Sequence, residues 1–159
     1  MSTFGALGVV LLAATLWSQS AANQSAAEEA HYPSLIRAEL PLYPPIARTA
    51  HITGTVEIQV VVEKGVVVDA QETSNDIQIA DPANRITYDD RAKSKASPFL
   101  SVPSLANVKT WQFLSEDRTT FLVKYIYRIE GTTTLLPETP TIEIDLPVVK
   151  VTARPFKPT

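Results

Sequence analysis

Residues 42–63 constrain the fold of this chain more than any other stretch of its sequence. Pro44 and Pro45 stand near the start of the stretch, and proline suits the first turn of a helix because no backbone N–H is needed there. Gly54 then offers an exit that a residue with a Cβ would resist. After it, the hydrophobic period changes from about 3.6 residues to 2. The stretch therefore predicts a short helix followed by a half-buried antiparallel strand.

A hairpin is predicted immediately after this helix. Residues 55–63 alternate between apolar and polar side chains, Lys64 and Gly65 mark a tight turn, and residues 66–73 alternate again. Residues 74–98 then break all periodicity and are rich in Asn, Asp, Ser and Lys. We expect them to form a long surface loop inserted into the domain.

The second half of the chain predicts one more helix and further strands. Pro103 opens a helix whose apolar face includes Val108 and Trp111. Residues 119–130 alternate strongly, with Phe121, Val123, Tyr125, Tyr127 and Ile129 on one face, which predicts a strand with an aromatic core face. In residues 141–153, Ile142 and Ile144 alternate with acids, but Pro147 removes a ladder donor. This segment is predicted to lie at a sheet edge or to form two short strands.

Together these elements predict an α+β fold in which two short helices pack on a small antiparallel sheet of three to four strands. A chain of 159 residues fits one domain. Its net charge of −3 gives no indication of a nucleic-acid partner. Since the chain contains no cysteine, disulfides, thiolate nucleophiles and cysteine-zinc sites are excluded.

The N-terminal segment predicts export. Residues 1–27 carry no charged side chain, and residues 4–17 form an apolar run that is shorter than the roughly 20 residues of a spanning helix. Small residues then place a signal-peptide cleavage site after Ala22, with a membrane anchor as the alternative. We expect residues 23–39 to be an irregular lead-in with a turn or strand near residue 35. The predicted location is periplasmic or secreted, or anchored in the inner membrane and facing the periplasm.

Residues 40–131 resemble the C-terminal domain of the TonB energy-transducer family, including the order of its helices and strands. The matching positions are Tyr43-Pro44 with Ala47, Gly54-Thr55-Val56, Lys64-Gly65-Val66, Asn107-Val108-Lys109-Thr110-Trp111 with Phe113, and Tyr125. The extension 132–159, with its edge strand, is similar to the extra C-terminal strand of short TonB-like proteins that lack a linker. The resemblance implies a βαβ-type TonB C-terminal architecture.

That resemblance also implies a function, which is binding rather than catalysis. In the family, the domain lies in the periplasm and binds an extended peptide of an outer-membrane transporter by adding it to a sheet edge. The family's transducers also carry a long proline-rich spacer, whereas only about 20 residues connect the apolar segment to the domain here. Energy-coupled transport, which uses that spacer in the family, is thus one possible role of this chain besides binding alone. No cofactor and no nucleic acid are implied, and membrane contact is expected only through an uncleaved N-terminal segment.

Two regions are candidates for contact with a partner. Tyr43 and Pro44 match a family motif near the partner-binding region, although starting the first helix explains them equally well. In residues 119–130, the aromatic face is predicted to be core, which leaves for binding the opposite face and a sheet edge that is made either by this strand or by the tail. The candidate partner-binding residues are Tyr43, Pro44, Leu122, Lys124, Ile126 and Arg128.

Two other functions stay open at this point. An exposed edge strand also allows a structural or assembly protein that pairs with itself as a homodimer. A metal-dependent hydrolase would need His31 or His51 with acids near the loop, but the two histidines lack any H-x-x-x-H spacing. The acids Glu72, Asp76, Asp81, Asp89 and Asp90 do not follow the calcium-loop pattern. We therefore predict no catalytic, cofactor-binding or metal-binding residue.

Overall fold

A curled sheet of seven strands dominates the computed structural model, which describes residues 32–79, 88–136 and 138–157. The strands are β1 (Ser34–Arg37), β2 (Ile52–Glu63), β3 (Val66–Ile79), β4 (Gln112–Leu114), β5 (Thr119–Ile129), β6 (Thr141–Asp145) and β7 (Val148–Ala153). The helices in these ranges are α1 (Pro45–Thr49), α2 (Asp90–Ala96) and α3 (Pro98–Val108). The spatial order of the strands is β1-β4-β3-β2-β5-β7-β6.

The predicted fold class is wrong in the size and type of the sheet. Instead of three to four antiparallel strands with two helices, the described residues form seven strands and three short helices. The sheet is mixed, because β7 runs parallel to β5 while the other neighbours are antiparallel. Strand β4, which the prediction missed, has only three residues, too few for a clear period, and depends on pairing with the distant strands β1 and β3.

The β2–β3 hairpin confirms the most regular pattern in the sequence. Val56, Ile58, Val60 and Val62 are fully buried on one face of β2, and the intervening residues face outward. The turn residues Lys64 and Gly65 both have positive φ, at 49° and 79°. Two such residues match the twist of the flanking strands, which explains why this two-residue turn closes the hairpin.

The region 74–98 is not the loop that its composition predicted. β3 continues to Ile79, which pairs with Ile52, so residues 74–79 belong to the hairpin. The polar residues of this part of β3 face solvent, and their composition concealed the strand. Helix α2 then begins after Asp89, whose carboxylate accepts a hydrogen bond from the Ala92 N–H at 2.8 Å. Residues 80–87 lie outside the described residues.

Helix α3 begins five residues earlier than predicted, at Pro98 rather than at Pro103. Both prolines fit a first-turn position by sequence, but Pro98 occupies it and Pro103 lies inside the helix.

Helix α1 also ends differently from the prediction. The chain leaves it through His51, whose φ is 53°, while Gly54 lies within β2 at a φ of 139°. His51 thus has the helix-ending position at which a left-handed residue is common.

Aromatic side chains form the centre of the core, as the pattern of residues 119–130 predicted. Trp111, Tyr125 and Tyr127 are all at most 1% exposed. Asn107 of α3 organises one part of this cluster, because its Oδ1 accepts hydrogen bonds from Trp111 Nε1 at 3.2 Å and from Tyr125 Oη at 2.8 Å. Tyr127 Oη is hydrogen-bonded to Ser104 Oγ at 2.7 Å. Every buried hydroxyl of this group therefore has a partner.

The segment 141–153 forms two short strands and its β6 lies at the sheet edge, so both arrangements that Pro147 suggested are present. We call β6, β7 and their connection the tail hairpin. Val149 and Val151 of β7 are fully buried in the same core as β2 and β5. The tail hairpin belongs to the same compact unit as the rest of the described residues. The irregular lead-in predicted for residues 23–39 also includes strand β1 at Ser34–Arg37, paired with β4.

Within the described ranges, no helix combines the length and the apolar character that crossing a membrane requires. The predicted signal peptide or anchor, residues 1–22, lies outside those ranges.

Candidate interaction edge

Four of the predicted partner-binding residues form one row on the outward face of β5. Leu122 is 48% exposed, Lys124 and Ile126 are half-buried, and the Arg128 side chain is 56% exposed. A shallow depression of about 350 Å³ lies beside Ile126 and Arg128. The side chains of this row can thus be reached from solvent.

The backbone of β5 is not the sheet edge that the sequence suggested. β2 pairs with it on one side, and β7 pairs with residues 124–129 on the other. Only residues 119–123 have no partner on the β7 side within the described chain. The prediction failed here because the tail hairpin adds itself to this edge, and a parallel pairing of distant segments leaves no local signal.

Lys124 is occupied by an ion pair rather than held free for a ligand. Its Nζ lies 2.9 Å from Glu57 Oε1 on the neighbouring strand β2. This hydrogen bond, with a second from Ser74, lowers the pKa of the Glu57 carboxyl below its usual value. Exposed pairs of this kind contribute little to stability.

Tyr43 is buried in the core, whereas Pro44 is half-buried at the start of helix α1. Tyr43 is only 3% exposed, its hydroxyl donates to the Ile52 carbonyl oxygen, and its ring meets the Tyr127 ring edge-on at 5.3 Å. Burial raises the pKa of the Tyr43 hydroxyl well above its usual value. Pro44 precedes the first residue of α1. In this conformation Tyr43 cannot touch a partner.

The free edges of the sheet are β1 at one end and β6 at the other. β6 is the outer strand of the tail hairpin and pairs with β7 from Thr141 to Asp145. No other strand in the described part of the chain pairs with its outer side. An open strand edge of this kind can accept an extended peptide through main-chain hydrogen bonds.

The hydrogen bonds of β7 show which backbone groups of β6 face outward. Ala153 accepts from the Glu130 N–H at 2.9 Å, so odd-numbered residues of β7 direct their backbone groups toward β5. Even-numbered residues of β7 must then face β6, where Lys150 pairs with Glu143. Alternation along β6 leaves the N–H and C=O groups of Ile142 and Ile144 directed to the open side.

The side chains of β6 divide between the core and solvent. Ile142 and Ile144 pack against the core, whereas Thr141, Glu143 and Asp145 are exposed. A depression of about 300 Å³ lies beside Glu143 and Asp145 on the outward face, and Leu146, Pro147, Val148 and Lys150 complete its lining. The alternation of isoleucine with acids was visible in the sequence, and Pro147 had also indicated an edge position for this segment, which the strand order confirms.

Arg48 attaches the tail hairpin to helix α1, and sequence reasoning missed it. The side chain is 4% exposed. Its Nε and Nη2 donate to the Arg154 carbonyl oxygen at 3.1 and 2.9 Å, and Nη1 donates to the Glu138 carbonyl oxygen at 2.8 Å. The guanidinium also lies 5.8 Å from the centre of the Phe156 ring. This role of Arg48 could not be inferred from the sequence, because it depends on where the tail lies in the fold.

The acids and histidines that a metal-dependent hydrolase would need do not assemble into a metal site among the described residues. No group of three or more His, Cys, Asp or Glu side chains in those ranges could hold a metal ion. Asp89 caps α2, and Asp76 and Asp90 border a groove between β3 and that helix. His51 ends α1, while His31 and Asp81 lie outside the described residues.

No protein-family model matches this chain, and no curated protein matches it with significance.

Proposed function

We propose that this protein is a non-enzymatic binding module of the cell envelope, related to the TonB C-terminal domain, that accepts an extended segment of another protein at the outer edge of β6. The open backbone groups of Ile142 and Ile144 are the observation that carries this proposal. Main-chain pairing supplies affinity for an extended peptide, and the alternating side chains supply selectivity. The motifs of residues 40–131 support the same class of function.

The partner in this proposal is an extended segment of an envelope protein, with an outer-membrane transporter as the first choice. The uncharged residues 1–27 support export to the periplasm. Mass spectrometry of the protein from cells should then find a mature N-terminus after Ala22. An N-terminus that retains residues 4–17 would instead favour a form anchored in the inner membrane.

Amide spectra of the labelled protein test strand addition directly. Titration with peptides from the plug regions of outer-membrane transporters is expected to shift the amide signals of Ile142 and Ile144. Absence of any shift at β6, at β1 or at residues 119–123 would exclude strand addition as the function.

A pair of substitutions at one position sharpens this test. Ile142→Pro removes an outward N–H while leaving the hydrogen bonds between β6 and β7 in place. Ile142→Ala removes similar side-chain packing but keeps that N–H. Peptide binding should fall in the proline variant and persist in the alanine variant. Equal binding by both variants would show that this edge is not used.

The opposite edge of the sheet favours a second candidate function, self-assembly. Ile36 of β1 is 63% exposed, and Leu114 of the adjacent β4 is 71% exposed. Apolar side chains beside an open strand favour pairing with a second copy. Sedimentation at several concentrations would detect a dimer, and Ile36→Asp should abolish it while Thr141→Asp should not.

A further inference from the structure

We infer that the strand accepted by β6 is basic and apolar in alternation, with lysine or arginine on its outward face. This inference rests on the proposed function, because it names the chemistry of the partner at the same edge. It follows from the direction in which the β6 side chains point and from the charges that they carry.

The outward face of β6 carries two acids beside one threonine. Glu143 and Asp145 are both exposed and lie two residues apart, so they are on the same face of the strand. Lys150 partly neutralises Glu143, with 3.2 Å between Nζ and Oε2. Asp145 pairs across the hairpin with Val148 and has no ion-pair partner among the described residues. The negative charge of Asp145 therefore lies uncompensated on this face, beside the open edge.

An added strand would bring its own alternating side chains into register with this pattern. Residues directly opposite Glu143 and Asp145 would share their face, where opposite charges attract and like charges repel. The depression beside these acids, with Leu146 and Val148 in its lining, has room for the aliphatic stem of a lysine. Residues opposite Ile142 and Ile144 would turn toward the apolar side of the sheet.

The same charges argue against a second copy of β6 as the occupant. Two antiparallel β6 strands paired about their midpoints would place Glu143 opposite Glu143, with an Asp145 near each end. Like charges directly opposite each other destabilise a strand pair. The charge pattern thus selects a basic segment of a different chain rather than homodimerisation at this edge.

The inference is tested by measuring how tightly the full chain binds three short peptides of equal length. One alternates lysine with valine, one serine with valine, and one glutamate with valine. We expect the lysine peptide to bind about tenfold more tightly than the serine peptide at low salt, since it can form two cross-strand ion pairs. The glutamate peptide should bind more weakly than either. The preference should shrink as salt rises, because these charges are exposed.

Two double variants identify the acids responsible for the preference. Glu143→Gln with Asp145→Asn should remove the lysine preference and leave binding of the serine peptide unchanged. Asp69→Asn with Asp76→Asn changes the net charge equally on exposed positions of β3, and the preference should persist there. Amide spectra of both variants report whether the fold is intact.

Other outcomes of these experiments would overturn either the basic-partner inference or the use of the β6 edge. Equal shifts of Ile142 and Ile144 by the lysine and serine peptides would overturn the basic-partner inference and leave strand addition standing. A lysine preference that survives Glu143→Gln with Asp145→Asn would also overturn it, because the charge would then act from elsewhere. Failure of all three peptides to shift β6 would overturn the use of this edge and the inference together.

Discussion

At the scale of single residues, Arg48 shows how one buried cation can hold two distant parts of a chain together. It lies on α1, yet its guanidinium satisfies carbonyl oxygens of Glu138 and Arg154, about a hundred residues farther along the chain. A planar guanidinium suits this task because its donors diverge in a fixed fork, which an ammonium cannot reproduce. The contact fixes the tail hairpin against the helix that opens the domain.

Replacing Arg48 should therefore loosen the tail. Arg48→Met keeps much of the volume but leaves both carbonyl groups without these donors, which is expected to lower the free energy of unfolding by about 2 to 3 kcal/mol. Arg48→Lys should recover only part of this loss. Urea unfolding measures the effect, with Arg118→Met as the control. Arg118 forms an exposed ion pair with Glu63, so its loss should cost less than about 1 kcal/mol. Equal losses of unfolding free energy in Arg48→Met and Arg118→Met would show that Arg48 has no special role.

Gly54 gives a second prediction at this scale. Its φ is 139°, and a Cβ at this position would clash with the backbone carbonyl oxygen of Asp76. Gly54→Ala should combine backbone strain with a backbone clash and cost about 3 kcal/mol or more. Gly131→Ala is the matched comparison, since its φ is also positive but the nearest atom is a side-chain carbon of Arg154 at 3.6 Å. The midpoint of thermal unfolding should be well below that of Gly131→Ala in the Gly54→Ala variant, and the reverse order would contradict the steric argument.

At the scale of elements, local patterns predicted those parts of the fold that local interactions determine. The β2–β3 hairpin, the aromatic face of β5 and the two short tail strands were each visible from alternation, glycine and proline. The end of β3 was not, because Asn75 and Asp76 are polar residues on an exposed strand. The true start of α3 was also missed, because two prolines compete for one role.

The candidate site was less accessible to sequence reasoning than the fold. The outward row of β5 was placed correctly, but its edge was not, since β7 covers residues 124–129 by parallel pairing. Tyr43 matched a binding motif and proved to be buried. Pairing with a distant segment decides whether the β5 edge is covered, and the alternation within residues 119–130 does not contain that information. The acids of β6 acquired a binding interpretation only once the sheet order was known.

The tail hairpin provides a prediction at the scale of elements. A chain that ends at residue 131 lacks Val149 and Val151, which are fully buried, and leaves the whole outer side of β5 unpaired. We expect this shortened chain to lose cooperative unfolding or to self-associate through the opened edge. Urea unfolding followed by circular dichroism, together with sedimentation, distinguishes these results from native behaviour. A monomer with an unchanged unfolding midpoint would mean that the hairpin is dispensable for the fold.

At the scale of the whole molecule, three tyrosines tie the stability of the core to pH. Burial raises the pKa of the Tyr43 and Tyr125 hydroxyls well above the usual value of 10, and it raises the pKa of Tyr127 to about 12. The unfolded chain releases these protons near pH 10, whereas the folded protein retains them. The stability due to the protonated tyrosines is thus complete below pH 10 and falls as pH rises above it.

Alkaline titration should therefore unfold the protein cooperatively. Each of the three tyrosines contributes a slope of about 1.4 kcal/mol per pH unit above pH 10, or roughly 4 kcal/mol per unit together. A domain with an ordinary stability of about 5 to 15 kcal/mol should then unfold within a few pH units above 10. Tyrosinate absorbance and circular dichroism should change together, because ionisation requires opening of the core. Tyr125→Phe should reduce the slope by about a third. A gradual rise in absorbance from pH 10, with the circular dichroism unchanged, would show that these hydroxyls ionise inside the folded protein.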